Sequence, residues 1–174
     1  MDARHINAFL ESTRAVFGTM LKVPVAFEKP EISTEPHTSD VSGVIGLSGD
    51  IAGSVIVGFC KLSSVQIASA LAGTRLEFGS ADFADAIGEI ANMIAGGAKS
   101  RLDGMDVKIS CPTVVLAPNH DIRTPSGAAS ICIPCTTPAG RFTIDVAFQR
   151  SAGGAHRSRG GSAATPPAVA GISA

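Results

Sequence analysis

This chain has no tryptophan and no tyrosine, and only eight phenylalanines among 174 residues. Nor has it a dense basic run, and its formal net charge is -1. A surface that stacks on bases and tracks a phosphate backbone needs both features, so nucleic acid is not an expected partner. No stretch of eighteen apolar residues occurs, because Gly, Ser, Lys or Asp interrupts every candidate, and no segment is expected to insert into a membrane as a helix. The opening MDARHINAFLES lacks a basic leader and an apolar core, which makes a cytoplasmic location the expectation. Cysteine is scarce and scattered, at Cys60, Cys111, Cys132 and Cys135. That is no disulfide framework for a chain this long, and a reducing compartment suits it. Also missing are G-x-x-x-x-G-K-[ST], G-x-G-x-x-G and G-x-S-x-G, so nucleotide-binding and serine-hydrolase readings lose their usual support.

What is present divides at about residue 150. After Gln149 the sequence RSAGGAHRSRGGSAATPPAVAGISA is nearly all Ala, Gly, Ser, Pro and Arg. It has too little apolar surface to offset its ordering entropy, which predicts a body over residues 1–150 and a flexible tail over 151–174. All fifteen acidic residues lie in the body, while the tail carries Arg157 and Arg159. A solvated end explains those arginines more simply than an acidic partner does.

Within the body, Ile6, Phe9, Leu10, Val16, Phe17, Met20 and Leu21 recur mostly at three- and four-residue spacing and predict a first helix over 3–21. Pro24 and Pro30 bracket a short extended VPVAF. The segment SGVIGLSGDIAGSVIVGF is two β-branched runs about Gly49-Asp50, a hairpin signal. A short helix, SSVQIASALAG, follows with serine expected at its cap and Gly73 at its end. A longer helix is expected from Ser80 to Leu102, stopped by Asp103-Gly104. Then come strand candidates in VKIS, TVVLA, ASICIPCTT and RFTIDVAFQ, the last alternating Phe142, Ile144, Val146 and Phe148 against polar or small residues. This order predicts an α+β fold in which helices pack on one face of an antiparallel or mixed sheet.

The long helix contains GEIANMIAGGAKSRL, residues 88–102. At ~100° per residue, Phe83, Ile87, Ile90, Ile94 and Arg101 fall on one side, with Ala91 and Ala98 at its flank. Asp85, Glu89, Asn92, Gly96 and Lys99 form a stripe opposite them. Glu89 and Asn92 stand three apart and are therefore surface neighbours. A solvated face is the simplest account of such a pair alone. The glycines add information, because each costs ~0.8–1 kcal/mol against alanine inside a helix. Gly96 lies on the polar stripe, where a missing side chain lets another molecule come close.

This segment resembles the E-x-x-N motif of the CheX and CheC chemotaxis phosphatases, a family that also includes FliY-type proteins. HINAFLESTRAVFGTML and GVIGLSGDIAGSVIVGF extend the resemblance over about residues 1–150. A single E-x-x-N favours the CheX type, and Gly97 stands where the family often has asparagine. The resemblance implies a CheX-like layer of long helices on a sheet, a homodimer, and removal of the phosphoryl group from an aspartyl phosphate on a CheY-like response regulator. Asn92 would orient the attacking water and Glu89 would pair with the regulator's lysine. Asp85, Gly96 and Lys99 complete the candidate partner-contact surface, although a solvated lysine accounts for Lys99 equally simply. No cofactor of its own is expected, since the Mg2+ belongs to the regulator. A module that binds the regulator without hydrolysis is the alternative.

Two other constellations have simpler explanations. Cys132-Ile-Pro-Cys135 lies in a strand pattern, where residues three apart face opposite sides. Buried thiols acting as small hydrophobes explain it better than a redox or zinc site. Asn119-His120-Asp121, between Pro118 and Pro125, reads as polar turn residues.

Overall fold

The β-branched runs on either side of Gly49-Asp50 form the longest hairpin of the sheet. The computed structural model describes residues 3–33, 38–122 and 130–150. In it β3 (Ser39–Gly49) pairs antiparallel with β4 (Ile51–Phe59), from Val41 opposite Phe59 to Leu47 opposite Gly53. Gly49 turns the chain at φ +106°, a conformation that a side chain would strain.

Around this hairpin the sheet extends on both sides. β8 (Gly140–Arg150) lies beside β4, and β7 (Ser130–Thr137) beside β8. The short β1 (Ala26–Phe27) and β2 (Glu31–Ser33) both pair with β7. On the far side, β5 (Val107–Ile109) and β6 (Thr113–His120) both pair with β3. Every pairing is antiparallel, which resolves the antiparallel-or-mixed expectation. Three residues of β2 were not foreseen, because Glu-Ile-Ser between prolines and polar residues carries no period of its own. Its strand character comes from β7.

The helices cover one face. β8 turns Phe142, Ile144 and Val146 into the core, as the alternation predicts, and Phe148 packs against its edge. Phe17 stacks on Phe142 with centroids 4.7 Å apart. The predicted first helix is α-helical only over α1 (Ala3–Ala15) and continues as a π-helical turn, Val16–Leu21. Lys22 closes it at φ 56°, and Val23 N–H donates to Phe17 O at 2.9 Å. The wider turn seats Val16, Phe17 and Leu21 in the core while leaving Met20 exposed.

α2 (Lys61–Ala72) begins two residues before the serines expected to cap it. Its cap arrives from another element: the Asp40 carboxylate accepts from Lys61 N–H at 2.9 Å and from Asn119 N–H at 3.2 Å. These bonds hold the Asp40 carboxyl below its ordinary range and tie β3, α2 and the end of β6 together. The other end is as expected, with Gly73 left-handed at φ 67°.

α3 (Ala81–Lys99) starts at Ser80, whose hydroxyl accepts from Phe83 N–H at 3.2 Å. It ends three residues before the expected Leu102. Arg101, which the helical period placed with the apolar residues, therefore lies beyond the helix. It is exposed, donates to Gly97 O at 2.7 Å and stands 3.7 Å from Glu11. Two close approaches seat the helix. A Cβ at Gly43 of β3 would stand 2.7 Å from Ala91 Cβ, so the helix lies directly on the strand. A Cβ at Gly97 would collide with Ser12 Oγ of α1, which donates to Ile94 O at 2.7 Å.

The predicted tail, residues 151–174, lies outside the described residues, as do His37 and Pro125. No helix among the described residues is long and apolar enough to cross a membrane.

The α1–α3 crossing makes a quantitative prediction. Gly97→Ala gains ~1 kcal/mol of helix propensity but incurs ~1–3 kcal/mol of overpacking against the bonded Ser12 hydroxyl. Urea unfolding should show net destabilisation, and adding Ser12→Ala should restore most of it. Costs that simply add would remove the steric explanation for Gly97.

Candidate functional site

The site is built on α3, because helix geometry sorts its residues before any partner is present. Phe83, Ile87, Ile90, Ala91, Ile94 and Ala98 are buried, and they hold the helix on the sheet and the other helices. Asp85, Glu89 and Lys99 are exposed, and Asn92 and Gly96 are half-buried. The stripe read from the period is thus present as a surface, and it brings all five candidate residues onto one side of one helix.

Glu89 and Asn92 meet at its middle. Asn92 Nδ2 donates to Glu89 Oε2 at 3.5 Å, the long limit for a hydrogen bond. Such a contact aligns the two side chains while leaving both able to exchange it for better partners. The carboxylate offers two acceptor oxygens, and the amide offers a carbonyl acceptor with two donors. Among the described residues no three His, Cys, Asp or Glu side chains are grouped to hold a metal. What the pair can do chemically is salt-bridge a cation and orient a water molecule.

The two glycines at 96 and 97 separate in function. Gly97 is required by the α1 crossing, a contact invisible to local sequence. Gly96 has no such neighbour: a Cβ there would meet only Ile109 Cδ1, at 3.8 Å, which is ordinary contact. Among the described residues no contact demands glycine at that position, which keeps it available for the approach of another molecule.

A third glycine, which the sequence reading did not use, marks the border of the stripe. Gly88 is buried against β6, and a Cβ there would stand 3.3 Å from Pro112 Cγ and 3.5 Å from Val114 Cγ2. The connector between β5 and β6 therefore packs on α3 at Gly88, the residue before Glu89. No local signal in Ser110-Cys-Pro-Thr113 reveals this, because the contact spans more than twenty residues of chain.

The other constellations are accounted for. Cys132 and Cys135 are both fully buried on β7, and Cys135 alone joins the core of the helical face. Burial pushes the Cys135 thiol up to about 12. Cys132 is raised further, by burial first and then by Asp145, its register partner on β8. Neither suits thiolate chemistry. Asn119 and His120 end β6 rather than occupying a loop. His120 Nε2 lies 2.8 Å from Ser42 Oγ, which fastens that end to β3, and Nδ1 lies 2.6 Å from Ala117 O within β6.

A protein-family model for the chemotaxis phosphatase CheX matches residues 41–136, a span that contains the whole of α3. The chain belongs to the CheX family. It is 33% identical over 131 residues to the CheY-P phosphatase CheX of Thermotoga maritima, covering 71% of this chain and 83% of that protein. A CheC-like superfamily protein from Shewanella sp. PV-4 superposes with a TM-score of 0.79 at 31% identity, over 86% of this chain and 99% of that one. The CheX of a Borrelia burgdorferi complex of CheX, CheY, BeF3 and Mg2+ shares the fold at 24% identity and a TM-score of 0.72, over 84% and 98% of the two chains. The α+β layer expected from the resemblance is the CheX fold.

Two measurements check this site. Gly96→Ala should raise the unfolding free energy by ~0.8–1 kcal/mol, since only helix propensity changes; a loss of stability would mean that Gly96 has an internal role. A disulfide-exchange reagent should titrate two thiols in the native protein, Cys60 and Cys111, and all four after denaturation. Rapid native reaction of Cys132 or Cys135 would reopen the thiol reading.

Proposed function

We propose that this CheX-family chain is a phosphatase that accelerates hydrolysis of the aspartyl phosphate on a CheY-like response regulator. The observation that carries the reading is the placement of Glu89 and Asn92 together on the solvent side of a helix whose remaining sides are packed. The name of the Thermotoga relative points to the same substrate.

Phosphoryl transfer asks little covalent chemistry of a protein and much positioning. The regulator brings the phosphoryl group, its Mg2+ and a lysine. In this proposal α3 enters that site edge-on. Glu89 pairs with the regulator's lysine and sets the depth and direction of insertion. Asn92 accepts a hydrogen bond from a water molecule and holds it in line with the bond to be broken. The water oxygen attacks phosphorus, the acyl phosphate P–O bond breaks, and the aspartate carboxylate and inorganic phosphate leave.

A neutral amide suits this position. A second carboxylate beside the phosphoryl oxygens would be repelled, whereas the amide orients water without adding charge. Asp85 and Lys99 extend the contact to either end of the stripe, and Gly96 leaves clearance one turn beyond Asn92. The chain carries out this work in the cytoplasm as a homodimer, with no cofactor of its own.

Phosphate release from phosphorylated CheY in Mg2+ tests the proposal. Asn92→Ala should lower the accelerated rate by about 100-fold, as loss of positioning at the reacting centre does, while binding to the regulator survives. Glu89→Ala should weaken both rate and binding. Unchanged acceleration by Asn92→Ala sinks the mechanism. Binding without acceleration by the parent chain would make this protein a docking module instead.

A further inference from the structure

We infer that the connector between β5 and β6, residues Ser110–Pro112, is a second wall of the regulator-docking surface, set against the rim of the phosphoaspartyl site beside Asn92. This inference rests on the function proposed above and adds a surface to it.

The level of the connector along α3 is set by two glycines. Gly88 faces Pro112, and Gly96 faces Ile109. Asn92 lies midway between those glycines in sequence, so it stands level with the intervening Ser110-Cys111 step. It also lies on the same side of the helix, about 40° around the axis from Gly88 at ~100° per residue. A molecule that receives the Asn92 side chain therefore meets the connector in the same approach.

The connector is built to keep its shape. Ser110 N–H donates to Gly46 O at 2.9 Å, and Gly46 N–H donates to Ser110 Oγ at 2.9 Å. Ser110 Oγ donates in turn to Cys111 O at 2.7 Å. Pro112 restricts the next backbone angle. These bonds lock an exposed segment onto β3, which lowers the ordering cost of docking.

Charge points to the occupant. Asp85 and Glu89 make the α3 stripe acidic, yet residues 107–120 contain no Asp or Glu at all. A phosphorylated receiver presents a phosphoryl group ringed by the carboxylates that bind its Mg2+. A wall free of carboxylate meets that rim without the like-charge repulsion that rejects partners.

Cys111 makes the inference testable, because it is exposed on the connector. Cys60 is the second exposed thiol and serves as an internal control, since it follows Phe59, the register partner of Val41. By that register it stands level with position 40, six residues along β3 from Gly46 and roughly 20 Å away. The native protein is alkylated with N-ethylmaleimide, alone and with excess CheY activated by beryllofluoride and Mg2+, and each cysteine is quantified by mass spectrometry. Cys111 should be protected by about tenfold or more when the complex forms, with Cys60 still labelled. In steady-state phosphate release, Cys111→Glu should raise KM by about tenfold, well beyond any change made by Cys111→Ser, with the effect on KM exceeding that on kcat.

Unprotected Cys111, or an unchanged KM in Cys111→Glu, in a preparation that does accelerate dephosphorylation overturns the second wall and leaves the phosphatase reading standing. Absence of both acceleration and complex formation removes the two together.

Discussion

The seating of α3 is the constraint on which the rest of this structure depends. The helix is held by backbone-close contacts on two sides: Ala91 rests on Gly43 of β3, and Ser12 of α1 sits over Gly97. Neither contact tolerates a larger residue without displacement. In a close-packed interior such contacts leave a helix little freedom to shift. The polar stripe therefore has a defined direction before any partner arrives. A functional pair carried on a loop would have to acquire that direction during binding, at an entropic cost.

This arrangement explains why so few chemical groups suffice. The stripe supplies one carboxylate and one amide in the region where the chemistry is proposed. Their usefulness lies in being presented on a rigid projecting edge. The glycines divide the labour around them. Gly43 and Gly97 bring elements together, Gly88 admits Pro112, and of these four only Gly96 meets nothing closer than ordinary contact among the described residues. Helix propensity is sacrificed at three positions of α3, and packing compensates at two of them.

The sheet contributes through its register. Two short strands share each outer side, β5 and β6 against β3, and β1 and β2 against β7. On the β3 side, the break between β5 and β6 is the segment whose Pro112 packs on Gly88, at the border of the polar stripe. Splitting that edge into two strands places a fixed corner, rather than a continuous ladder, next to the working face. Asp40 performs a comparable service at the other end, where one carboxylate caps α2 and holds β6. Acidification weakens that tie, because the folded-state pKa of Asp40 is depressed: its stabilisation is full above the unfolded value and is lost as pH falls through the folded one.

Features with a local cause were legible in the sequence. Gly49-Asp50 between β-branched runs made a hairpin, and the alternation in Phe142–Phe148 gave a strand with one face inward. The 3.6-residue period separated Glu89 and Asn92 from Ile87, Ile90 and Ile94. In each case a few neighbouring residues carry the physics. The E-x-x-N resemblance then named a reaction that spacing alone leaves open. Features caused by distant residues were not legible. β2 exists because β7 pairs with it, α2 is capped by Asp40 from twenty-one residues away, and Arg101 is exposed beyond a helix that stops at Lys99. Gly97 is the sharpest example. Its reason is Ser12, eighty-five positions earlier in the chain, and only the packing of α1 on α3 brings the two together. The sequence by itself determined which residues line the face of α3. The tertiary structure decided which glycine is structural, which is left open, and that Pro112 of the β5–β6 connector packs on Gly88, because those contacts join residues far apart in the chain.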